Sequence, residues 1–534
     1  MKQQLTLRVT PRDAASTLSL TAAASSSLGI DANRIKELRV VRRSIDARQR
    51  RVMVNITADL YIDELPEPLK RAEVSLPDVS TAPHSAIVVG AGPAGLFAAL
   101  RLIELGVRPV IIERGKDVDS RRRDLAAIAR EGRVDPDSNY CFGEGGAGAF
   151  SDGKLFTRSK KRGPVDEILR VLYDHGADES ILIDAHPHIG TDRLPGIIAS
   201  IRRAIIAAGG EVHFSTRVAE LFTDSDTGAV TGVRTADGRR FDGPVILATG
   251  HSARDVYRML HSAGIPLEPK GIAVGVRLEH PQQLIDRIRY HSPQGRGSYL
   301  PPAEYTLLTR VDGRGVYSFC MCPGGVIVPA TSEQGLLVVN GMSASSRGGR
   351  WANSGMVVEV LPEDVGGEGP LAVMDYQEAI ERRFFADGKA TSATSTDQGT
   401  EAIPGSQNAP AQRMTDFVAG RSSRDLPATS YAPGIHPARI DTLLPDAIAH
   451  RLRRGFEEFG RKQRGFLTPE ATVIGCETRT SAPVRIPRDP DTLRHISVVG
   501  LYPAGEGAGY AGGIVSAAID GRRAAEALAS TLNS

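Results

Sequence analysis

Apolar and polar positions along the first sixty residues alternate with period two, then three to four, then two again. The pattern predicts a strand over residues 5–9, a helix over 13–28 and strands over 35–41 and 52–62, a βαββ unit. Prolines 66, 68, 77 and 83 among polar residues predict an extended linker over 66–83. From residue 86 the apolar pattern tightens. Ile87, Val88 and Val89 form a run, Leu96, Ala99, Leu100 and Ile103 recur at helical spacing, and a second run, Val110 to Ile112, ends at a carboxylate, Glu113. Between the first run and the helix lies Gly90-Ala-Gly92-Pro93-Ala94-Gly95.

Strand, glycine turn, helix and strand at this spacing predict a dinucleotide-binding βαβ unit. Gly90 permits the tight turn, Gly92 admits backbone N–H groups to a pyrophosphate, and Gly95 lets the helix lie close to the sheet. The helix N-terminus at Pro93 and Ala94 favours phosphate charge. Glu113 stands where a ribose diol would arrive, with Arg114 beside it.

Further on, residues 139–154 read Asn-Tyr-Cys-Phe-Gly-Glu-Gly-Gly-Ala-Gly-Ala-Phe-Ser-Asp-Gly-Lys. The small residues Gly145, Gly146 and Ala147 and the cation of Lys154 suit close approach of a ligand. Strands are predicted over 211–214, 218–222, 230–235 and 245–248, a small meander followed by a return to the main sheet. The last of these ends in Ala248-Thr249-Gly250-His251, which places Thr249 and Gly250 at the carboxyl edge of the sheet. Residues 255–470 lose the βαβ pattern. They carry strands at 272–279, 317–321 and 335–340, a helix at 376–385 and a polar, mobile loop at 391–412, and read as a substrate-side domain. A final strand, glycine turn and helix begins at residue 496 and runs to about 528.

At 534 residues the chain has room for about three or four units of ~150 residues. A net charge of +2 gives a nucleic-acid partner no global support. Arg39, Arg42, Arg43, Arg48, Arg50 and Arg51 cluster at the turn of the N-terminal unit, where they attract an acidic partner or keep an exposed hairpin solvated, the reading we favour. No apolar stretch has membrane-spanning length and no signal peptide opens the chain, so the cytoplasm is expected. Four cysteines and twelve scattered histidines show no metal-ligand spacing.

The βαβ unit with Glu113, the Thr216-Arg-Val218 segment, Leu247-Ala-Thr-Gly250 and Tyr502-Pro-Ala-Gly-Glu506 together resemble FAD-dependent oxidoreductases of the glutathione-reductase-like class. The runs 142–154 and 500–513 resemble a bacterial group of FAD-dependent dehydrogenases with an extra N-terminal domain. The resemblance implies an α/β fold. In it, a Rossmann-like FAD-binding domain (84–254 and 471–534) carries an inserted α+β substrate domain (255–470), behind an N-terminal βαββ domain (1–65). It implies FAD with its pyrophosphate at Gly90, Gly92 and Gly95, its ribose on Glu113 and its adenine at the Val218 backbone. Ala248, Thr249 and Gly250 would pass beneath the cofactor. Gly505 and Glu506 would lie near its hydroxyls, with glutamate where the family pattern usually has aspartate, and Gly512, Gly513 and Ile514 at the flavin edge.

The expected activity is a dehydrogenase or reductase passing hydride between flavin and a small-molecule substrate. The alternatives are a flavin-dependent RNA-modifying or RNA-binding protein and a flavin monooxygenase. No second flanked Gly-x-Gly-x-x-Gly occurs between 116 and 495, so NAD(P)H would bind only transiently as donor. Candidate catalytic groups are His251 as proton donor, Lys154 beside reduced flavin, and Cys476, whose neighbour Arg479 would lower its pKa. Cys320 and Cys322, two apart on a strand, face one side and close an awkward ring, so they read as structural thiols.

Overall fold

The structure is a computed structural model and describes residues 1–68, 70–72, 74–157, 163–394 and 407–532, for 389–394 the backbone alone. Five parallel strands form the sheet that organises the chain, in the spatial order Leu501–Pro503, Val245–Leu247, Ser85–Val89, Arg108–Ile112 and Glu211–His213. The central strands are continuous apolar runs because both sheet faces are covered. On one face the helix Pro93–Glu104 packs against the C-terminal helix Ile514–Leu532. Their approach depends on Gly521, where a Cβ would lie 2.0 Å from the Ala94 carbonyl oxygen.

The predicted meander appears as the antiparallel strands Val218–Thr223, Val230–Thr235 and Arg240–Asp242. Glu211–His213 is not part of it but an edge of the parallel sheet, to which Val245–Leu247 also returns.

A second, eight-stranded sheet follows the order Leu308–Val311, Arg314–Pro329, Trp351–Val360, Ile272–Pro281, Thr472–Glu477, Ala409–Arg413 and Ile435–Pro437, with Val339–Met342 paired to Arg314–Pro329. Its largest core gathers Val274, Val276, Met356, Val358, Phe384 and Phe456. This sheet corrects both expected limits of the 255–470 segment. The helix Arg254–Ser262 buries Val256, Tyr257 and Leu260 against Ile87, Val89 and Leu247 of the parallel sheet. Thr472–Glu477, expected after the boundary, pairs with Ile272–Pro281 on one side and Ala409–Arg413 on the other. Strand partners two hundred residues apart leave no local mark on the sequence, which is why the limit was misplaced. The expected strand at 335–340 is shifted to Val339–Met342, and the expected helix at 376–385 extends over Ala372–Thr394. The expected loop at 391–412 is therefore wrong at both ends, since 391–394 complete that helix and Ala409–Arg413 is a strand; 395–406 lie outside the described residues.

The N-terminal strands Lys2–Val9, Met53–Ile62 and Ile35–Asp46 form an antiparallel sheet in that order, against which Thr17–Leu28 buries Leu20 and Ala24. The helical stretch expected over 13–28 is two helices, because Ser16 leaves helical geometry to cap the second, its hydroxyl accepting from the Ser19 N–H at 3.2 Å. In the basic group, Arg43 bonds Asp184 at 2.7 Å and ties the unit to the rest of the chain. Part of the linker is pinned as well: Arg71 donates to the Ala177 carbonyl at 2.8 Å and the Val79 N–H to the Ala208 carbonyl at 2.8 Å.

Candidate active site

A crevice of about 940 Å³ runs from the carboxyl edge of the parallel sheet to the inner wall of the second sheet. Its floor begins at Gly90, whose φ of +105° turns the chain out of the strand and whose Cβ, were there one, would lie 2.5 Å from the Ala248 carbonyl oxygen. Gly92 caps the helix, and Pro93 begins it with a φ already suited to the first turn. Gly92, Pro93 and Ala94 line the crevice, whereas Gly95 lies behind them as a packing glycine.

Glu113 is buried with its carboxylate facing the crevice, and accepts from the N–H groups of Ala91 at 2.8 Å, Gly115 at 2.9 Å and Gly143 at 3.0 Å. Three of about four lone-pair directions are thus engaged, leaving room for one strong bond from a ligand. Arg114 lies 4.1 Å above the Phe142 ring and pairs with Asp137 at 2.8 Å and Asp255 at 2.9 Å. Thr216, Arg217 and Val218 complete this end.

The glycine loop at 143–148 is rigid for a reason that lies outside it. Arg121, fully buried, donates to the carbonyls of Asn139 at 2.8 Å, Glu144 at 2.8 Å and Tyr140 at 3.0 Å. Burial pushes its pKa down to about 10. Gly145 donates its N–H to the Ala91 carbonyl at 2.8 Å and packs on Ile198, so it joins the two glycine loops without lining the crevice; Gly146, Ala147 and Gly148 line it. Sequence reasoning missed Arg121, because its helix Val118–Glu131 is rich in charge and nothing local marks this arginine as buried.

At the other end Ala248, Thr249, Gly250 and His251 face Glu506, Gly512, Gly513 and Ile514. His251 Nδ1 stands 3.6 Å from Glu506 Oε2. Gly505 is behind this wall, donating its N–H to Asp520 at 2.8 Å, and Asp520 is paired with the buried Arg488 at 2.6 Å. Lys154 lines the crevice with its ammonium bonded to the Met321 carbonyl and 3.5 Å from Asp152. Burial works against that charge, but the thiols of Cys320 and Cys322 and the Asp152 carboxylate hold the Lys154 pKa up. Burial likewise works to raise Asp152, yet Lys154 and Arg347, the latter at 2.5 Å, bring it down to about 2.

Two expectations about cysteines change. Cys476 is buried among core side chains on the central strand Thr472–Glu477, and its thiol donates to the Leu337 carbonyl at 3.2 Å. Burial pushes its pKa well up, and Arg479 is engaged by Glu381 at 3.0 Å, so Cys476 is not a group of the crevice. Cys320, expected to be structural, lines the crevice.

The glycine cradle fits a dinucleotide. At Gly250, Gly512 and Gly513 a Cβ would meet nothing of the protein within 4 Å, so the space beside the backbone there belongs to the crevice. Residues 84–125 match the FAD binding domain, residues 271–480 the C-terminal domain of FAD-dependent proteins, and residues 1–61 a domain of unknown function. An uncharacterized protein of Clostridium beijerinckii is 39% identical over 516 residues, covering 92% of each chain.

The chain belongs to this family of FAD-dependent proteins. FAD is its cofactor. Solved structures overlap it loosely. The 2,6-dihydroxypyridine-3-hydroxylase of Arthrobacter nicotinovorans is 14% identical, with 84% of each chain covered and a TM-score of 0.35. The 3-ketosteroid-delta4-(5alpha)-dehydrogenase of Rhodococcus jostii RHA1 is 14% identical, with 85% of this chain and all of that one covered and a TM-score of 0.34. Among the described residues no helix is long and apolar enough to cross a membrane, and no group of three or more His, Cys, Asp or Glu could hold a metal.

Proposed function

We propose that this FAD-dependent chain is a dehydrogenase or reductase of a small molecule, with the βαβ unit and the C-terminal helix holding the cofactor and the 272–477 sheet closing over the substrate. The observation that carries the reading is the single crevice that joins Glu113 to Lys154 and Cys320. When bound, FAD supplies two-electron transfer to or from the substrate. The Pro93–Glu104 helix N-terminus and Gly146 to Gly148 would hold its pyrophosphate, Glu113 its ribose and the Val218 backbone its adenine.

His251, supported by Glu506 at 3.6 Å, holds or releases a proton at its imidazole. Lys154 and the Gly513 and Ile514 N–H groups, all lining the crevice, would offset negative charge on the flavin. The N-terminal unit has a core of its own, and its Val52 also packs into the core of the second sheet. We place the protein in the cytoplasm. NAD(P)H enters, when it does, through the substrate end of the same crevice.

Anaerobic mixing of the yellow holoprotein with NADH and with NADPH tests the donor assignment. Bleaching of the flavin band by either supports it, and persistence of the band with both removes the nicotinamides as donors.

A further inference from the structure

The long strand Arg314–Pro329 breaks register where it passes the crevice. Phe319 pairs with Gly355 and Cys322 with Asn353, so Cys320 and Met321 together stand opposite Ser354 alone. An extra residue in one strand bends it and re-aims a side chain. Here Cys320 takes a φ of +42°, a left-handed conformation that a non-glycine residue adopts only at a cost, and Cys320 lines the crevice while Cys322 is fully buried.

The bend is held from behind. Arg277 donates to the Cys320 carbonyl at 2.7 Å and to Cys322 Sγ at 3.4 Å, and Cys322 Sγ donates to the same carbonyl at 3.5 Å. Arg277 is itself paired with the buried Glu477 at 2.9 Å. In front, Lys154 bonds the next carbonyl, that of Met321, and Arg347 rather than Lys154 makes the close pair with Asp152. The Lys154 ammonium therefore lines the crevice together with Cys320, held by the Met321 carbonyl and standing 3.5 Å from Asp152.

We propose that Cys320 is a reactive thiol of the crevice wall, with Lys154 as its counter-charge and Cys322 as the second thiol of a redox pair. It goes beyond the flavin assignment and rests on the same crevice being the substrate end. The groups facing Cys320 are Cys322, Lys154, Arg277 and Asp152, with Glu477 behind Arg277. A hydrogen bond from the Cys322 thiol, then Lys154 and Arg277, bring the Cys320 pKa well down, while Cys322 is pushed well up. Cys320, on the crevice wall, is the thiol a reactant meets first, and Cys322 lies buried behind it.

The class of reactant is a hydroperoxide or another soft electrophile. With hydrogen peroxide, the Cys320 sulfur takes the distal oxygen as the O–O bond breaks, giving a sulfenic acid and hydroxide that becomes water on protonation. The Cys322 sulfur then attacks Cys320, the S–S bond forms as the S–O bond breaks, and a second water leaves with the Cys322 proton. Two electrons pass from the thiol pair to peroxide.

The test is the rate of carbamidomethylation of each cysteine in flavin-loaded protein by iodoacetamide, followed by peptide mass spectrometry across pH. The expected midpoint for Cys320 lies below the about 8.5 of an ordinary thiol. Lys154→Met is expected to move the midpoint upward; an unmoved midpoint in protein that still melts cooperatively removes Lys154 as counter-charge. Peroxide is expected to give a Cys320–Cys322 disulfide, and in Cys322→Ala a sulfenic acid trapped by dimedone. A Cys320 midpoint at or above about 8.5, or no labelling of Cys320, overturns the proposal. Peroxide leaving Cys320 unmodified in both proteins overturns the redox pair. Flavin absorbance, read on the same samples, separates failure of the thiol from failure of the FAD assignment.

Discussion

A methyl group on Gly95 would sit 1.9 Å from the carbonyl oxygen of Gly90, so the Pro93–Glu104 helix can lie where it does only because Gly95 carries no side chain. Gly95→Ala is expected to push the helix off the sheet. Overpacking of this kind costs about 1–3 kcal/mol, and here it also misplaces the N-terminal N–H groups that hold phosphate. Purified Gly95→Ala should melt at lower temperature and retain less FAD; a variant as yellow and as stable as the parent would contradict the close approach.

Glu113→Ala removes one ligand bond and leaves the N–H groups of Ala91, Gly115 and Gly143 without their acceptor. A charge-assisted bond contributes roughly 1.5–3 kcal/mol, so FAD affinity is expected to fall roughly ten- to a hundred-fold, together with thermal stability. Flavin fluorescence titration reads the affinity, and an unchanged Kd would take Glu113 out of the ribose role.

Glu381 joins Arg254 at 2.8 Å and Arg479 at 3.0 Å in a buried triad that ties the Arg254–Ser262 and Ala372–Thr394 helices to the end of the Thr472–Glu477 strand. Burial would raise its pKa, but the two guanidinium groups bring it from 4.5 down to about 2. The folded-state value is depressed, so the stabilisation is complete above about 4.5 and disappears as pH falls toward about 2. Glu381→Gln is expected to lose about 3–5 kcal/mol at neutral pH by stranding buried positive charge, and to flatten the acid limb of the Tm profile. An acid limb identical to the parent's would show that the triad does not govern it.

Cys476→Ala is expected to keep bound flavin and turnover, with a modest fall in Tm from the small cavity it opens in the core. Loss of turnover with flavin retained would return Cys476 to the chemistry.

The glycine-turn half of the crevice was legible because its requirements are local. Gly90, Gly92 and Glu113 follow one another at spacings that a strand, a turn and a helix impose, and the crevice lining includes all three. The substrate half was not. Lys154 was visible in its glycine context, but Asp152 and Arg347 meet across 195 residues, and the placing of Cys320 depends on a strand slip that no spacing rule encodes. Arg121 does its work from a helix whose charged residues look like a solvated face until burial is known.

Apolar period and glycine placement along the chain were enough to establish the parallel βαβ core, the returning C-terminal helix and the N-terminal sheet with its helical cover, because each rests on contacts or conformations within a few dozen residues. Which strands join the second sheet, which cysteine reaches the crevice and which ion pairs close it were settled by packing between distant segments. Burial and strand register belong to the assembled chain, and they decide whether a given thiol or guanidinium meets solvent, ligand or core.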